Sequence, residues 1–255
     1  MSANIPWIHI SFNPLTGCTK YSDGCQNCYA KPMAIRMTSN PNPKIAYKYR
    51  NGFKLTEHPE ELEKNIVGKN KIVFLNSMSD TFHQEVSESF LYKICDFIQR
   101  QPHHIFQVLT KRANRLSLIK NYPSNLWLGV TVEKADYLER IEYLLNTNAT
   151  VKWISCEPLL GPIDSDKIKG LDWVVVGGES GANCRPMNFQ WARQIRDTCK
   201  KYDVPFWFKQ AGGPGRDKGG KILDGRLYKQ WPKSLSMAMV RDEVQPSLFN
   251  VQPDS

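Results

Sequence analysis

The sequence predicts an α/β fold: about seven mostly parallel strands, curled into a partial or nearly closed (β/α) barrel, with a C-terminal loop and hairpin extension. Three observations carry this. Several short runs are apolar throughout, as strands covered on both faces are. Amphipathic helical segments separate these runs. Polar residues gather just after the run ends, where a (β/α) barrel has its mouth and its active site.

The elements follow in order. A first strand is expected near Ile8 to Phe12, and Lys71 to Asn76 (KIVFLN) is a second. Val86 to Arg100 then places Val86, Phe90, Leu91, Ile94, Phe97 and Ile98 on one helical face. Ile105 to Leu109 is a strand, Arg112 to Lys120 a short helix, and Leu126 to Val132 a strand. Lys134 to Leu145 is a helix with Leu138, Ile141 and Leu145 on its stripe. Val151 to Ser155 and Trp173 to Val176 are strands. Phe189 to Lys201 is a helix with Trp191, Ile195 and Cys199 on one side, and Pro205 to Phe208 is the last strand. Residues 1–211 thus form a barrel domain, with a basic loop over its mouth at 38–55. Residues 212–255 hold a glycine-rich loop, a hairpin turning at Asp224-Gly225, and a tail of little periodicity from about Ser234.

Composition narrows the function classes. No apolar run approaches the roughly 20 residues of a membrane-spanning helix, and Met1 to Ile10 shows no secretion signal, so a cytoplasmic location with no membrane partner is expected. Net charge is +9, and the surplus is clustered. Between Asp23 and Glu57 there is no acid, while Lys31, Arg36, Lys44, Lys48, Arg50 and Lys54 alternate with Tyr47, Tyr49 and Phe53. A second acid-free stretch, between Asp96 and Glu133, holds Arg100, Lys111, Arg112, Arg115 and Lys120. Cations neutralise phosphates and rings stack on bases, so DNA, RNA or a nucleotide is the expected partner; a solvated basic face is the alternative.

Seven cysteines are an odd count for disulfides, and a chain of 255 residues does not need them. Three are clustered: Cys18, then Cys25 and Cys28 as a C-x2-C pair. Three thiolates on one loop can hold three corners of a four-iron cluster and leave one iron open, as a catalytic centre requires. Two other readings stand beside this. One is zinc with His9 or His83 as fourth ligand, in a non-enzymatic nucleic-acid module. The other is a redox-active C-x2-C pair.

The loop resembles the cluster loop of radical S-adenosylmethionine (SAM) enzymes, although that pattern is C-x3-C-x2-C and here six residues separate the first two cysteines. A wider resemblance runs through nine motifs in order. They are Phe12-Asn-Pro-Leu-Thr-Gly-Cys18, Gly24-Cys-Gln-Asn-Cys-Tyr-Ala30, Asn76-Ser-Met-Ser-Asp-Thr-Phe82, Leu109-Thr-Lys-Arg112, Leu128-Gly-Val-Thr-Val-Glu133, Cys156-Glu-Pro-Leu-Leu-Gly-Pro162, Gly177-Gly-Glu-Ser-Gly181, Phe208-Lys-Gln210 and Leu223-Asp-Gly-Arg226. In these the chain resembles the phage Gp37/Gp68 family, uncharacterised DUF5131-type proteins regarded as radical-SAM-like.

The resemblance implies a radical-SAM-type barrel, a [4Fe-4S] cluster on Cys18, Cys25 and Cys28, S-adenosylmethionine, an external electron donor and a 5′-deoxyadenosyl radical. A nucleic acid or nucleotide is the expected substrate, with a peptide, protein or small metabolite as the alternative. Ser77, Ser79 and Asp80 follow the second strand, with Asp80 expected on the methionine ammonium; a helix cap is its other reading. Thr131 and Glu133 are expected at the ribose, and Gly177 and Gly178 where a backbone approaches adenine or substrate. Lys111, Arg112, Glu157, Glu179 and Lys209 are candidates for substrate, Glu179 alternatively as a charge partner of Arg185. Cys156 and Cys184 are candidate hydrogen-atom donors, with a buried structural role as the alternative; Cys95 and Cys199 are expected in the core.

Overall fold

Seven strands take up the apolar runs: β1 (Ile10–Phe12), β2 (Ile72–Leu75), β3 (Ile105–Thr110), β4 (Leu126–Thr131), β5 (Val151–Cys156), β6 (Trp173–Gly177) and β7 (Phe206–Gln210). The computed structural model describes residues 5–163 and 166–234. The strands pair in chain order, every pairing parallel, and β1 is not bonded to β7. The sheet is therefore a curled half-barrel rather than a closed one.

Side chains alternate between two apolar layers, as the period of two demands. Val73, Leu75, Phe106, Leu128, Ile154, Val176 and Phe208 face the helices. The main outer helix, α3 (Glu88–Gln99), starts at Ser87, whose hydroxyl accepts from Phe90 N–H at 3.2 Å, and it packs Phe97 flat on Phe12 at 4.9 Å. Helix α5 (Phe189–Lys201) is capped by Asn188 and turns Ala192, Ile195 and Cys199 inward. Helix α4 (Glu139–Leu145) is shorter than its amphipathic pattern, because a 3₁₀ turn at Ala135–Tyr137 precedes it. Ala113–Leu118 is likewise 3₁₀.

The concave side is filled by indoles. Trp7 meets Trp173 at 5.2 Å and Trp207 at 5.4 Å, and Trp153 meets Trp173 at 5.4 Å. Trp7 precedes β1, so it lies across the unbonded seam and donates to Gln107 at 3.0 Å. Gly129 stands beside Trp153 in the register, and a Cβ there would collide with that ring. The indoles close the floor, and the mouth above remains open.

Two regions differ from expectation. The 38–55 stretch contains helix α2 (Pro43–Lys48), started by Asn42 accepting from Lys44 N–H, and helix α1 (Ala30–Met37) precedes it. The 212–232 segment also bonds back to the sheet. Its Ile222–Leu223 and Arg226–Leu227 form the expected hairpin, and Tyr228 to Gln230 then bond antiparallel to Phe206 and Phe208 at the edge of β7. The tail expected from about Ser234 lies, beyond that residue, outside the described residues.

Two buried histidines make stability depend on pH. His104 accepts from Lys71 N–H at 3.1 Å, and His58 shares a 2.8 Å hydrogen bond with Thr16. Burial holds both below the ordinary histidine range. The unfolded chain takes up protons near pH ~6.5 that the native state refuses. The expected urea midpoint is steady above that pH and falls as the pH drops from 7 to 5.5; a flat midpoint across this window would contradict the assignment.

Candidate active site

A cavity of about 550 Å³ opens at the C-terminal ends of the strands, a volume typical of small-molecule sites. Cys18, Cys25 and Cys28 all line it, and all three are free, half-buried thiols. They sit on the loop after β1, which turns through a 3₁₀ step at Asp23–Cys25. Among the described residues no three His, Cys, Asp or Glu side chains are grouped closely enough to hold a metal ion as placed. The donor set nevertheless fits an iron–sulfur centre: three soft thiolate ligands at the rim of one cavity, on one short loop.

Three ion-pair groups, each built on a buried carboxylate, hold this loop. In the first, Asp80 Oδ2 accepts from Arg112 at 3.0 Å, and Arg112 in turn donates to Thr19 O at 3.1 Å, to Thr19 Oγ1 at 2.9 Å and to Cys18 Sγ at 3.7 Å. Burial, with help from Asp80, pushes the Cys18 thiol up to about 11, and Arg112 works against both. In the second, fully buried Glu133 accepts from Lys111 at 2.8 Å, from Arg140 at 2.8 Å and from the Ser22 hydroxyl. A Cβ on Gly24 would lie 2.5 Å from Glu133 Oε1, so the loop can rest on this carboxylate only with glycine there. In the third, Glu179 takes Arg185 at 2.6 and 2.9 Å and Asn27 at 3.0 Å, and Arg185 reaches the Asp23 carbonyl at 3.0 Å. Burial alone would raise the Glu133 and Glu179 carboxyls; their cations outweigh it and hold both below the ordinary range.

These contacts revise several expectations. Asp80 spends Oδ1 on Phe82 N–H and Thr110 and Oδ2 on Lys111 N–H and Arg112, so its four acceptor positions are taken within the chain. Glu179 is the charge partner of Arg185. Ser79 donates to Gly17 O at 2.6 Å, and Ser77 hydrogen-bonds Ser11 at 2.6 Å, both while lining the cavity. Thr131 lines it from β4. Gly178 admits a backbone, but that backbone is the chain's own: a Cβ there would strike Ala211 O. Gly177 faces Glu157 at ordinary contact distance. Glu157 takes Lys209 on both oxygens at 2.7 Å and Gln210 at 2.8 Å.

A family model described as "Protein of unknown function (DUF5131)" matches residues 2–232. The chain belongs to that family. No curated protein matches the sequence. Among solved structures, this DUF5131 chain is similar to a double mutant of spore photoproduct lyase with bound AdoMet and dinucleoside spore photoproduct. Identity is 9%, over 76% of this chain and 62% of that one, at a TM-score of 0.43. It is also similar to spore photoproduct lyase complexed with dinucleoside spore photoproduct, at 10% identity over 74% and 60% and a TM-score of 0.39. The DUF5131 chain thus spans about three-fifths of those structures' length.

Neither candidate hydrogen-atom donor of the DUF5131 chain reaches the cavity. Cys156 is fully buried in the layer that faces the helices, because it is one residue beyond Ser155, whose side chain lines the cavity. Cys184 is half-buried and lies outside the lining. Cys199 packs in the core as expected, and half-buried Cys95 packs against it. The second basic stretch is largely used internally: Lys111 and Arg112 are paired, Arg115 donates to Gln84 O and Val86 O, and Arg100 to Leu62 O. The first stretch remains outside, with Lys31, Arg36, Lys44, Arg50 and Lys54 exposed and Arg50 over the ring of Tyr47 at 4.0 Å. Sequence reasoning missed Ser22, Asn27 and Arg140 as parts of the site; Arg140 sits beside the apolar stripe of its helix and carries no separate signal.

Proposed function

We propose that this protein is a radical SAM enzyme acting on a nucleic acid or nucleotide. The reading rests on one observation above all: three thiols of one loop line the mouth of a parallel half-barrel, and three buried carboxylates with their cations fix that loop. Cys18, Cys25 and Cys28 would hold a [4Fe-4S] cluster. With S-adenosylmethionine and an external electron donor, that cofactor pair would supply one-electron cleavage of a carbon–sulfur bond and a 5′-deoxyadenosyl radical.

The chain's own residues orient and shield. Asp80, Glu133 and Glu179 act as positioning residues, through Arg112, through Ser22 with Lys111 and Arg140, and through Arg185 with Asn27. Ser77, Ser79 and Thr131 offer polar atoms on the wall where a nucleoside would lie. Trp7, Phe53 and Trp153 give the same cavity aromatic faces and exclude water from its floor. The exposed cations of α1, α2 and the loop after them favour a polyanionic substrate over a neutral metabolite.

The test is anaerobic reconstitution with iron and sulfide, followed by dithionite and S-adenosylmethionine. Release of 5′-deoxyadenosine is the expected result. Tight zinc binding with no iron or sulfide retained would replace this reading with that of a zinc module.

A further inference from the structure

Charge pairing around the cavity leaves two cations over. Arg112 is held by Asp80, Lys111 by Glu133, and Lys209 by Glu157. Arg216 and Lys218 line the same cavity and have no ion-pair partner among the described residues. Both belong to the glycine-rich loop after β7.

The loop fixes Lys218 in an uncommon backbone state. Its φ is 53°, in the left-handed region that non-glycine residues seldom occupy. The surrounding backbone holds it there: Gly212 N–H donates to Lys218 O at 2.8 Å, Ala211 N–H to Gly220 O at 2.9 Å, and Gly220 N–H to Asp217 O at 3.1 Å. Strain of this kind persists where the rest of the structure over-determines it, and functional sites are where it collects. The lysine is half-buried. Burial first, and then Lys209, press its ammonium below the ordinary lysine range, with Glu157 opposing them. Half-buried Lys218 and exposed Arg216, neither with an ion-pair partner among the described residues, can together take an anion. The same cavity presents Trp7, Tyr29, Phe53 and Trp153, so it offers rings for a base together with cations for a phosphate.

We propose that Lys218 and Arg216 form a subsite for the phosphate of a nucleotide, free or within a strand, in the cavity lined by the three cysteines. This rests on reading that cavity as a substrate site, and its test needs no iron. The affinities of thymidine, thymidine 5′-monophosphate and a single-stranded oligothymidylate are measured calorimetrically on the metal-free full chain. The unsubstituted protein is expected to prefer the monophosphate over thymidine by about tenfold or more. Lys218→Gly with Arg216→Gln removes that preference and leaves thymidine affinity unchanged; glycine suits the left-handed backbone, so the loop keeps its path. Lys218→Arg retains the preference. If only oligothymidylate binding responds to the double substitution, the phosphate belongs to a strand and the subsite stands. If neither phosphorylated probe responds, the subsite is refuted, whatever the outcome of the deoxyadenosine assay.

Discussion

Cys25→Ala will cost the reconstituted protein most of its iron and sulfide, a drop of roughly tenfold or more. Cys25 closes the 3₁₀ turn that follows Ser22, its N–H donating to Ser22 O at 2.9 Å, and its thiol lines the cavity between those of Cys18 and Cys28 in sequence. Two thiols cannot hold three corners of a cluster. The fold should survive, because the loop is held by Ser22, Asn27 and the backbone of Thr19 and Asp23, and the Cys25 N–H bond to Ser22 O is kept by alanine. Cys95→Ala, on the helix layer, is the matched control and should load normally. Iron and acid-labile sulfide are assayed per protein chain, with thermal unfolding as a check on folding. Undiminished loading of Cys25→Ala would remove it from the ligand set.

Glu133→Ala is expected to destabilise the fold by about 3–5 kcal/mol, the range seen when one partner of a buried ion pair is removed. Lys111 and buried Arg140 would be left without their carboxylate, and Ser22 and Gly24 would lose the surface they rest on. Urea unfolding measures the loss. A cost below about 1 kcal/mol would mean that water re-enters and the brace stabilises little. The sign with pH follows from the native carboxyl lying below its ordinary range. The stabilisation is complete above the unfolded pKa near ~4.5 and is lost as the pH falls through the native value. Unsubstituted protein should therefore lose more stability in acid than Glu133→Ala does.

The strands are legible in the sequence because each is apolar on both faces, and the helices because their stripes repeat at 3.6 residues. The same double-sided apolarity hides which face a residue takes. Ser155 and Cys156 differ by one position, and that single step puts the hydroxyl in the cavity and the thiol among the helices. The polar clusters at strand ends correctly mark the mouth. They do not reveal which of their members meet a ligand and which meet one another. Asp80, Glu133 and Glu179 look like ligands by placement, yet their cations come from the loops and helices beyond, and only the path of the cysteine loop across the mouth decides the pairing. Lys218 was hidden for another reason: a glycine-rich stretch carries no periodicity, so the curl that brings its side chain back over the barrel leaves no trace in spacing.

The contacts that fix the cysteine loop join positions far apart in the chain. Asn27 reaches Glu179 across 152 residues, and Arg185 reaches Asp23 across 162. As the polypeptide leaves the ribosome, its thiols emerge long before the groups that will seat them. The loop is thus among the last parts to settle, and acquisition of any metal centre belongs to the finished chain rather than to the nascent one.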